Sequence, residues 1–476
     1  MPEKLYNNKI IALLRKCIES PIYPVILGAV SLACYFLNLP ITSIIIFGVV
    51  CTFTFLFVED TRPALPAVLF VFLTLQYQFD IKPYQSVFAI CVYAIGGTIA
   101  LGSIVFHFCV YKLDHHKREL HWGFIALALA FFLGGLFGNH YDWRNLRNAV
   151  VFTASICAVY YFFTYTMRHR EDNLLYVARV CVVAMFIIVA QIAEIYITEY
   201  DLGTALSLDW KGKVDLGWGL GNSAGEMMAM MLPALFYLIY KEKHGYLYNI
   251  LLIIGVAAIY FTFCRCALLF TIPALAVGLT VNCIIGRYRK INALFVFLLL
   301  ATIGGLVLSV FISGQQEKYF AYFIEKKLDD SSRFEIWREY LGFFKDSPVF
   351  GEGFAVYRRI HNDHLGPEYT GLKVLNAHNT VVQMLGCTGI VGFVLYLFHR
   401  VQTMWIIFKK PNVDRIFLGG CIIMGLLLSL LDPLFFRVYF LLFYGVLLMV
   451  IEKSYIADVE KDKAANTELI EAEKTE

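Results

Sequence analysis

The chain has 476 residues, of which 59% are hydrophobic and 16% charged, with a mean hydropathy of +0.66. Soluble domains carry about 25% charged residues, so the composition excludes a soluble globular protein and indicates a polytopic membrane protein. The formal net charge of +3 is too small to recruit nucleic acid, and no nucleic-acid partner is expected.

Residues 1–20 place Lys4, Lys9, Arg15 and Lys16 ahead of the first apolar run and read as a cytoplasmic N-terminus. That run lacks a small-residue cleavage site and feeds into a second one, so it reads as an uncleaved span. A helix needs about 20 apolar residues to cross a bilayer. Spans are predicted near 21–38, 41–58, 63–79, 86–111, 121–138, 148–166, 174–198, 223–240, 247–263, 265–285, 291–313, 377–399, 416–431 and 434–451. The fold class is therefore an all-α bundle of about fourteen spans.

Charge placement gives the bundle an orientation. With the N-terminus inside, the cytoplasmic connections hold Lys112, Lys117 and Arg118, then Arg168 and Arg170, then Lys241 and Lys243. Arg287, Arg289 and Lys290 follow, and then Arg400, Lys409, Lys410 and Arg415. The outer connections hold fewer cations: Lys82, Arg144, Arg147, Lys211 and Lys213. This positive-inside bias puts both termini in the cytoplasm. The expected organisation is a cytoplasmic N-terminus (1–20), an N-terminal membrane bundle (21–313), an extracytoplasmic loop (314–376), C-terminal spans (377–451) and a solvated cytoplasmic tail (452–476). The twelve cysteines are scattered, mostly in apolar runs, without a C-x-x-C pair, so they read as small core residues. No Walker A or G-x-G-x-x-G motif occurs, so this chain alone is not expected to be an ATP-driven pump.

The outer loop carries structural signals. Ser332 and Glu335 fit a capping box, and Ile336, Trp337, Tyr340, Leu341 and Phe344 recur at helical spacing. Asp346-Ser347-Pro348 ends that helix, and Gly351-Glu352-Gly353 makes a turn. Upstream, Tyr319, Phe320 and Phe323 among Glu317, Lys318, Lys326 and Lys327 predict a helix at the lipid interface. A connection longer than about 15 residues with such features is expected to be functional rather than a passive cover.

His378 falls where this loop meets the next span. Asn379 and Thr380 can cap the helix, which puts His378 at its positive end. That position favours the neutral imidazole, the form a general base requires. The alternative is a cap-region histidine bonded to a backbone carbonyl. Gly386, Gly389 and Gly392 follow and allow a neighbour to approach closely. Arg265, in "TFCRCALLF", stands between two apolar runs at the outer face. It reads either as a phosphate clamp or as a snorkelling cation.

Lys211 and Lys213 lie on the same face and could meet an anion, as could Arg358 and Arg359 beside the glycine turn. Glu226 fits a second capping box with Ser223 and is expected to be structural. Asp432 and Arg437 are expected to form a structural ion pair. Gln191 and Glu194 share one face of the seventh span and could serve transport or packing. His361 and His364 have helical spacing, but Gly366-Pro367 follows, so no metal site is expected there.

Taken together, "SSRFEIWREYLGFFKDSPVFGEGF" followed by "LNAHNTVVQMLGCTGIVGF" resembles the signature of the O-antigen ligase and Wzy polymerase family. The matching residues are Ser331, Arg333, Trp337, Pro348, Gly351, Gly353, His378, Asn379, Gly389, Ile390 and Gly392. "FCRCALL" places Arg265 on the family's arginine, with Cys266 where a small residue is usual. "GLGNSAGEMM" resembles a further segment that opens an earlier span. The resemblance covers residues 215–400.

This resemblance implies a bundle of the C-type glycosyltransferase kind and an inverting, metal-independent glycosyltransferase that needs no cofactor. The implied donor is a glycan on a polyprenyl diphosphate, and the implied acceptor is a sugar hydroxyl of a glycan or lipid-linked glycan. The site would lie at the outer face of the bacterial cytoplasmic membrane, among membrane lipids. It implies His378 and Arg265 as catalytic residues, with Arg333, Asn379, Lys211, Lys213, Arg358 and Arg359 as substrate contacts. A flippase and a chain-length regulator are further implied partners.

The product would be O-antigen, capsule or exopolysaccharide. Polymerase is slightly favoured over ligation of finished glycan to lipid A core, because Lys211 and Lys213 stand where ligases often have an arginine. Two other classes stay open. A flippase or secondary transporter would depend on midplane groups such as Gln191 and Glu194, and a scaffold would need neither His378 nor Arg265.

Overall fold

The computed structural model describes residues 9–77, 79–116, 118–137, 143–198, 214–322, 333–354 and 377–475. In chain order the helices are α1 (Lys9–Ile18), α2 (Tyr23–Phe36), α3 (Pro40–Phe57), α4 (Ala64–Phe70), α5 (Lys82–Gln85), α6 (Val87–Val110), α7 (His121–Leu136), α8 (Trp143–Thr153), α9 (Val159–Thr166) and α10 (Asn173–Thr198). They continue as α11 (Gly221–Lys241), α12 (Tyr248–Phe261), α13 (Arg265–Ile284), α14 (Arg289–Ile312), α15 (Gln316–Phe320), α16 (Arg333–Asp346), α17 (Thr380–Phe408), α18 (Val413–Leu428) and α19 (Val438–Thr475). No β-strand occurs among the described residues, apart from one isolated bridge between Asp215 and Leu220. Helices are the expected solution, because lipid offers no partner to a backbone N–H or C=O.

Among the described residues, nine helices are long and apolar enough to cross a membrane. The pair α1 and α2, bent by 85°, would make a tenth if it counts as one span. The all-helical, polytopic reading holds, but several apolar runs form shorter elements. The run at 63–79 becomes the seven-residue α4 and a 3-10 turn, Val71–Thr74, with Pro63 capping the start and Pro66 in the first turn. His121–Gly134 and Gly245–Phe261 are also apolar but short.

The chain divides into two compact units, 1–115 with 162–320, and 116–161 with 321–476. In the first, α11 is buried along nearly its whole length among α10, α12 and α13. Small residues set these distances: a Cβ on Gly255 would meet Met185 at 2.2 Å, and one on Gly278 would meet Phe236 at 2.3 Å. Buried amides tie three helices together, since Asn249 Nδ2 donates to Asn292 Oδ1 (2.9 Å) and Asn292 Nδ2 donates to the Asn282 carbonyl (3.2 Å). Gln191 is likewise used for packing. Its amide donates to the Leu73 carbonyl (2.6 Å), and its oxygen accepts from Trp218 Nε1 (2.9 Å).

In the second unit α7 lies along α17. A Cβ on Gly134 would meet Thr388 Cγ2 at 2.7 Å, and Gly123 packs against Gln402 and His399. The Arg400 guanidinium sits 3.4 Å from the Phe435 ring centroid and 4.4 Å from that of Tyr396, and it donates to the Tyr444 hydroxyl (2.6 Å). Glu452 of α19 accepts from the Leu120 backbone N–H (2.7 Å) and the Tyr160 hydroxyl (2.5 Å).

Candidate functional site

In the second unit, the expected entry to α17 forms as read. Asn379 is the N-cap, and its Oδ1 accepts from the N–H groups of Val381 (2.9 Å) and Val382 (3.1 Å). Its Nδ2 donates to the Leu430 carbonyl (3.0 Å), which ties the cap to the α18–α19 connection. Thr380 adds two bonds to that connection, donating from its N–H to Ser429 O (2.8 Å) and from Oγ1 to Asp432 O (3.3 Å).

His378 precedes the cap in a left-handed backbone conformation, φ 48°. Its carbonyl-side neighbour is fixed by the cap, and its other neighbour, Ala377, is fixed twice. Ala377 O accepts from Trp337 Nε1 (2.6 Å), and Ala377 N–H donates to Gln383 Oε1 (3.0 Å). Trp337 of α16 therefore holds the loop end that presents the histidine. The imidazole is one-third exposed, and its Nδ1 lies 3.6 Å from Oδ1 of Asp432, which is 1% exposed. That separation is longer than a hydrogen bond, so the carboxylate faces the ring without bonding it. Arg437 NH2 approaches the same Oδ1 at 3.2 Å. The expected Asp432–Arg437 ion pair is present, and its carboxylate also faces His378. Sequence reading missed this proximity, because two whole helices, α17 and α18, lie between His378 and Asp432 in the chain.

The motif glycines have a shared architectural role. α17 breaks at Gly389, with φ 62° and ψ −167°. A break leaves backbone groups on both sides without helical partners. Segment 348–353 supplies them: Glu352 N–H donates to Gly386 O (2.9 Å), and Gly353 N–H to Cys387 O (3.0 Å). In return Pro348 O accepts from Ile390 N–H (2.9 Å) and Val349 O from Val391 N–H (3.2 Å). The contact is backbone on backbone. A Cβ on Gly389 would lie 2.4 Å from Val349 C, and one on Gly351 2.4 Å from Cys387 C. Gly351 and Gly353 also have positive φ, 72° and 90°, which glycine adopts freely.

α16 runs from Arg333 to Asp346 and ends before Pro348 as expected. Its buried face is Ile336, Tyr340 and Phe343, whereas Leu341 points outward. Tyr340 packs under Gly386, and burial holds its phenol well above the usual value, so it stays neutral. Arg333 lies one turn ahead of Trp337 at the start of this helix.

In the first unit, Arg265 is the first residue of α13 and is half-buried. The corner before it is tight. Phe263 is left-handed (φ 50°), and Thr262 Oγ1 donates to Ile259 O (2.6 Å) while accepting from Cys264 N–H (3.3 Å). Gly225 of α11 makes room for the corner, since a Cβ there would meet Thr262 Oγ1 at 2.6 Å and Cys264 Cβ at 2.8 Å. The N-cap residue Cys264 supplies no side-chain capping bond. A cation here works against the helix dipole, and together with first-turn N–H groups it forms a position suited to an anion.

Behind Arg265, Cys264 Sγ and Cys266 Sγ are 3.2 Å apart, and Cys266 Sγ–H donates to Glu226 Oε1 (3.2 Å). These three buried groups could offer ligand atoms to one metal ion, a grouping that sequence spacing did not reveal. The expected capping box at 223–226 does not form. α11 starts earlier, at Gly221 with Leu220 as N-cap, because the 214–220 turn closes just before it through Gly221 N–H to Val214 O (2.7 Å). Glu226 therefore lies inside the helix against the Arg265 corner. Lys211, Lys213, Arg358, Arg359, Ser331, Ser332, His361 and His364 lie outside the described residues.

Residues 250–397 match the family model described as O-antigen ligase. No curated protein matches the chain. The matched stretch contains Arg265, Arg333, Trp337, His378, Asn379, the 348–353 segment and the Gly389 break, whereas Lys211, Lys213 and Asp432 fall outside it. The chain is a multi-pass helical membrane protein whose residues 250–397 are similar to the O-antigen ligase family.

Proposed function

We propose that this protein is an inverting, metal-independent glycosyltransferase that extends a surface polysaccharide at the outer face of the bacterial cytoplasmic membrane. The observation that carries the reading is His378, which lies within the O-antigen ligase match, is fixed from both sides by the Trp337 and Asn379 bonds, and faces the buried Asp432 carboxylate. His378 takes the proton of an acceptor sugar hydroxyl, and the hydroxyl oxygen attacks the anomeric carbon of the donor glycan. The bond from that carbon to the diphosphate oxygen breaks, configuration inverts, and polyprenyl diphosphate leaves. Arg265 binds the diphosphate and stabilises the charge that develops on it. Lys211, Lys213, Arg333, Arg358, Arg359 and Asn379 make further substrate contacts.

The bent α1–α2 pair, the three shorter apolar helices and α18 complete a bundle of about fourteen spans resembling C-type glycosyltransferases. Both termini are cytoplasmic, and 314–376 is the extracytoplasmic loop. A flippase supplies the lipid-linked donor, and a chain-length regulator limits the product. Repeat-unit polymerisation is favoured over ligation of finished glycan to lipid A core, and one experiment separates them.

His378→Ala is expressed in a strain that lacks the native gene, with membrane abundance and surface-glycan length recorded. Normal abundance with single repeat units supports a polymerase. Full-length glycan left on its lipid carrier supports a ligase. Unchanged surface glycan overturns the catalytic role.

A further inference from the structure

The first unit contains a partly open cavity of about 640 Å3 between α2, α10 and the facing ends of α11 and α12. Its shaft is apolar, formed by Val25, Ala29 and Leu32 on one side and Val183, Phe186 and Leu251 on the others. Charge is confined to one end. There Arg179 and Glu242 line the cavity, with Arg179 Nε and NH2 both directed at Glu242 Oε1 (2.7 and 2.5 Å). Exposed Lys241 and Lys243 flank Glu242 in sequence.

The lining also includes Pro21 and Ile22, which lie at the 85° bend between α1 and α2. α1 is strongly amphipathic and has no buried residue. Ile10, Leu14 and Cys17 share one face, with Arg15 and Lys16 on the other side. A short basic amphipathic helix of this kind lies in the interface plane, so the bend marks headgroup level. Exposed Lys243, next in sequence to Glu242, therefore adds a cation beside the ion-paired Arg179 and Glu242 at the depth of lipid phosphates, and the shaft runs among hydrocarbon-facing helices.

We infer that this cavity binds one acyl chain of an anionic glycerophospholipid, with the lipid phosphate at the Arg179–Lys243 mouth. The volume falls within the ~300–1,000 Å3 of ligand pockets. The division into an apolar shaft and a cationic mouth matches the division of the lipid. Glu242 takes up one cation, Arg179, and exposed Lys243 sets the headgroup preference. The site is independent of the glycosyltransfer proposed for His378 and Arg265.

Native mass spectrometry of the purified full chain tests this. The chain is titrated with palmitoyl-oleoyl phosphatidylglycerol, with the phosphatidylcholine of the same chains, and with a polyprenyl monophosphate. One retained phosphatidylglycerol per chain is expected, preferred over phosphatidylcholine. Lys243→Gln, an exposed site, should lower that preference about fivefold, the effect of one basic residue near an anionic lipid surface. Ala29→Trp fills the shaft from an exposed small position and should abolish the retained lipid while the elution profile stays monodisperse. Equal retention of the two phospholipids, an undiminished adduct in Ala29→Trp, or displacement by the polyprenyl phosphate overturns the inference. The last result would assign the cavity to the carrier lipid instead.

Discussion

His378 holds a conformation that its own side chain does not favour. A non-glycine residue at φ 48° costs about 1–2 kcal/mol, and the two neighbours that impose it are tied by side-chain bonds. The imidazole is part-exposed, and its Nδ1 makes no hydrogen bond among the described residues. Activity and stability should therefore separate at this position. His378→Ala is expected to lose glycan transfer by about 10²–10⁴-fold, the usual contribution of a general base. Its thermal stability should stay within about 0.5 kcal/mol of the parent. His378→Gly should be equally inactive and at least as stable as His378→Ala, since glycine is unstrained at positive φ. Asn379→Ala should show the opposite weighting, a loss of about 1 kcal/mol from the missing cap. Thermal melts of the purified variants alongside a transfer assay check all three. Arg265 calls for a different substitution. Arg265→Lys keeps the charge but removes the two-pronged fork, and transfer should fall about 10–100-fold, with the loss in kcat if the arginine stabilises the leaving diphosphate.

At the scale of elements, the break in α17 and the 348–353 segment form one joint. Four backbone hydrogen bonds cross it, and each replaces a partner that the break removed. Gly389→Ala should fail on two counts. Its positive φ disfavours a Cβ, and that Cβ would sit 2.4 Å from Val349 backbone, which cannot rotate away. A loss above about 2 kcal/mol is expected, with reduced membrane abundance. Gly392→Ala should cost less, because Gly392 keeps helical backbone angles and its Cβ clash with Thr388 (2.3 Å) comes without the strain of a positive φ. A smaller drop for Gly389→Ala than for Gly392→Ala would mean that the joint is not structural.

This joint shows what the sequence made legible. The Asn379 cap and the end of α16 before Pro348 are local signals that formed where they stood, whereas several apolar runs made shorter elements than expected. The glycines were readable as points of close approach, but their partners were not, because segments on either side of a long loop pair only through the tertiary fold. The same limit hid Asp432 from His378 and Glu226 from Cys266. It also explains the misplaced capping box: Ser223 and Glu226 have the right spacing, but the turn at 214–220 sets the start of α11 earlier.

For the whole molecule, sidedness decides whether the chemistry is possible. A diphosphate-linked glycan presented outside can be used only if segment 314–376 faces outside, and the charge pattern makes a definite prediction about that. The cationic connections assigned to the cytoplasm include Lys241 and Lys243, Arg287 to Lys290, and Lys409 with Lys410, whereas the opposite connections carry few. Reversing the bundle would translocate these clusters, and short basic loops resist this most strongly. The test uses a variant in which Cys17, Cys91 and Cys109, the exposed cysteines among the described residues, are serine. Tyr357→Cys should then react with a membrane-impermeant maleimide in intact spheroplasts, whereas Lys463→Cys should react only after permeabilisation. If the two positions exchange behaviour, His378 and its loop face the cytoplasm. The acceptor and donor would then have to meet before export, and the outer-face reaction proposed for this protein would fall with the topology.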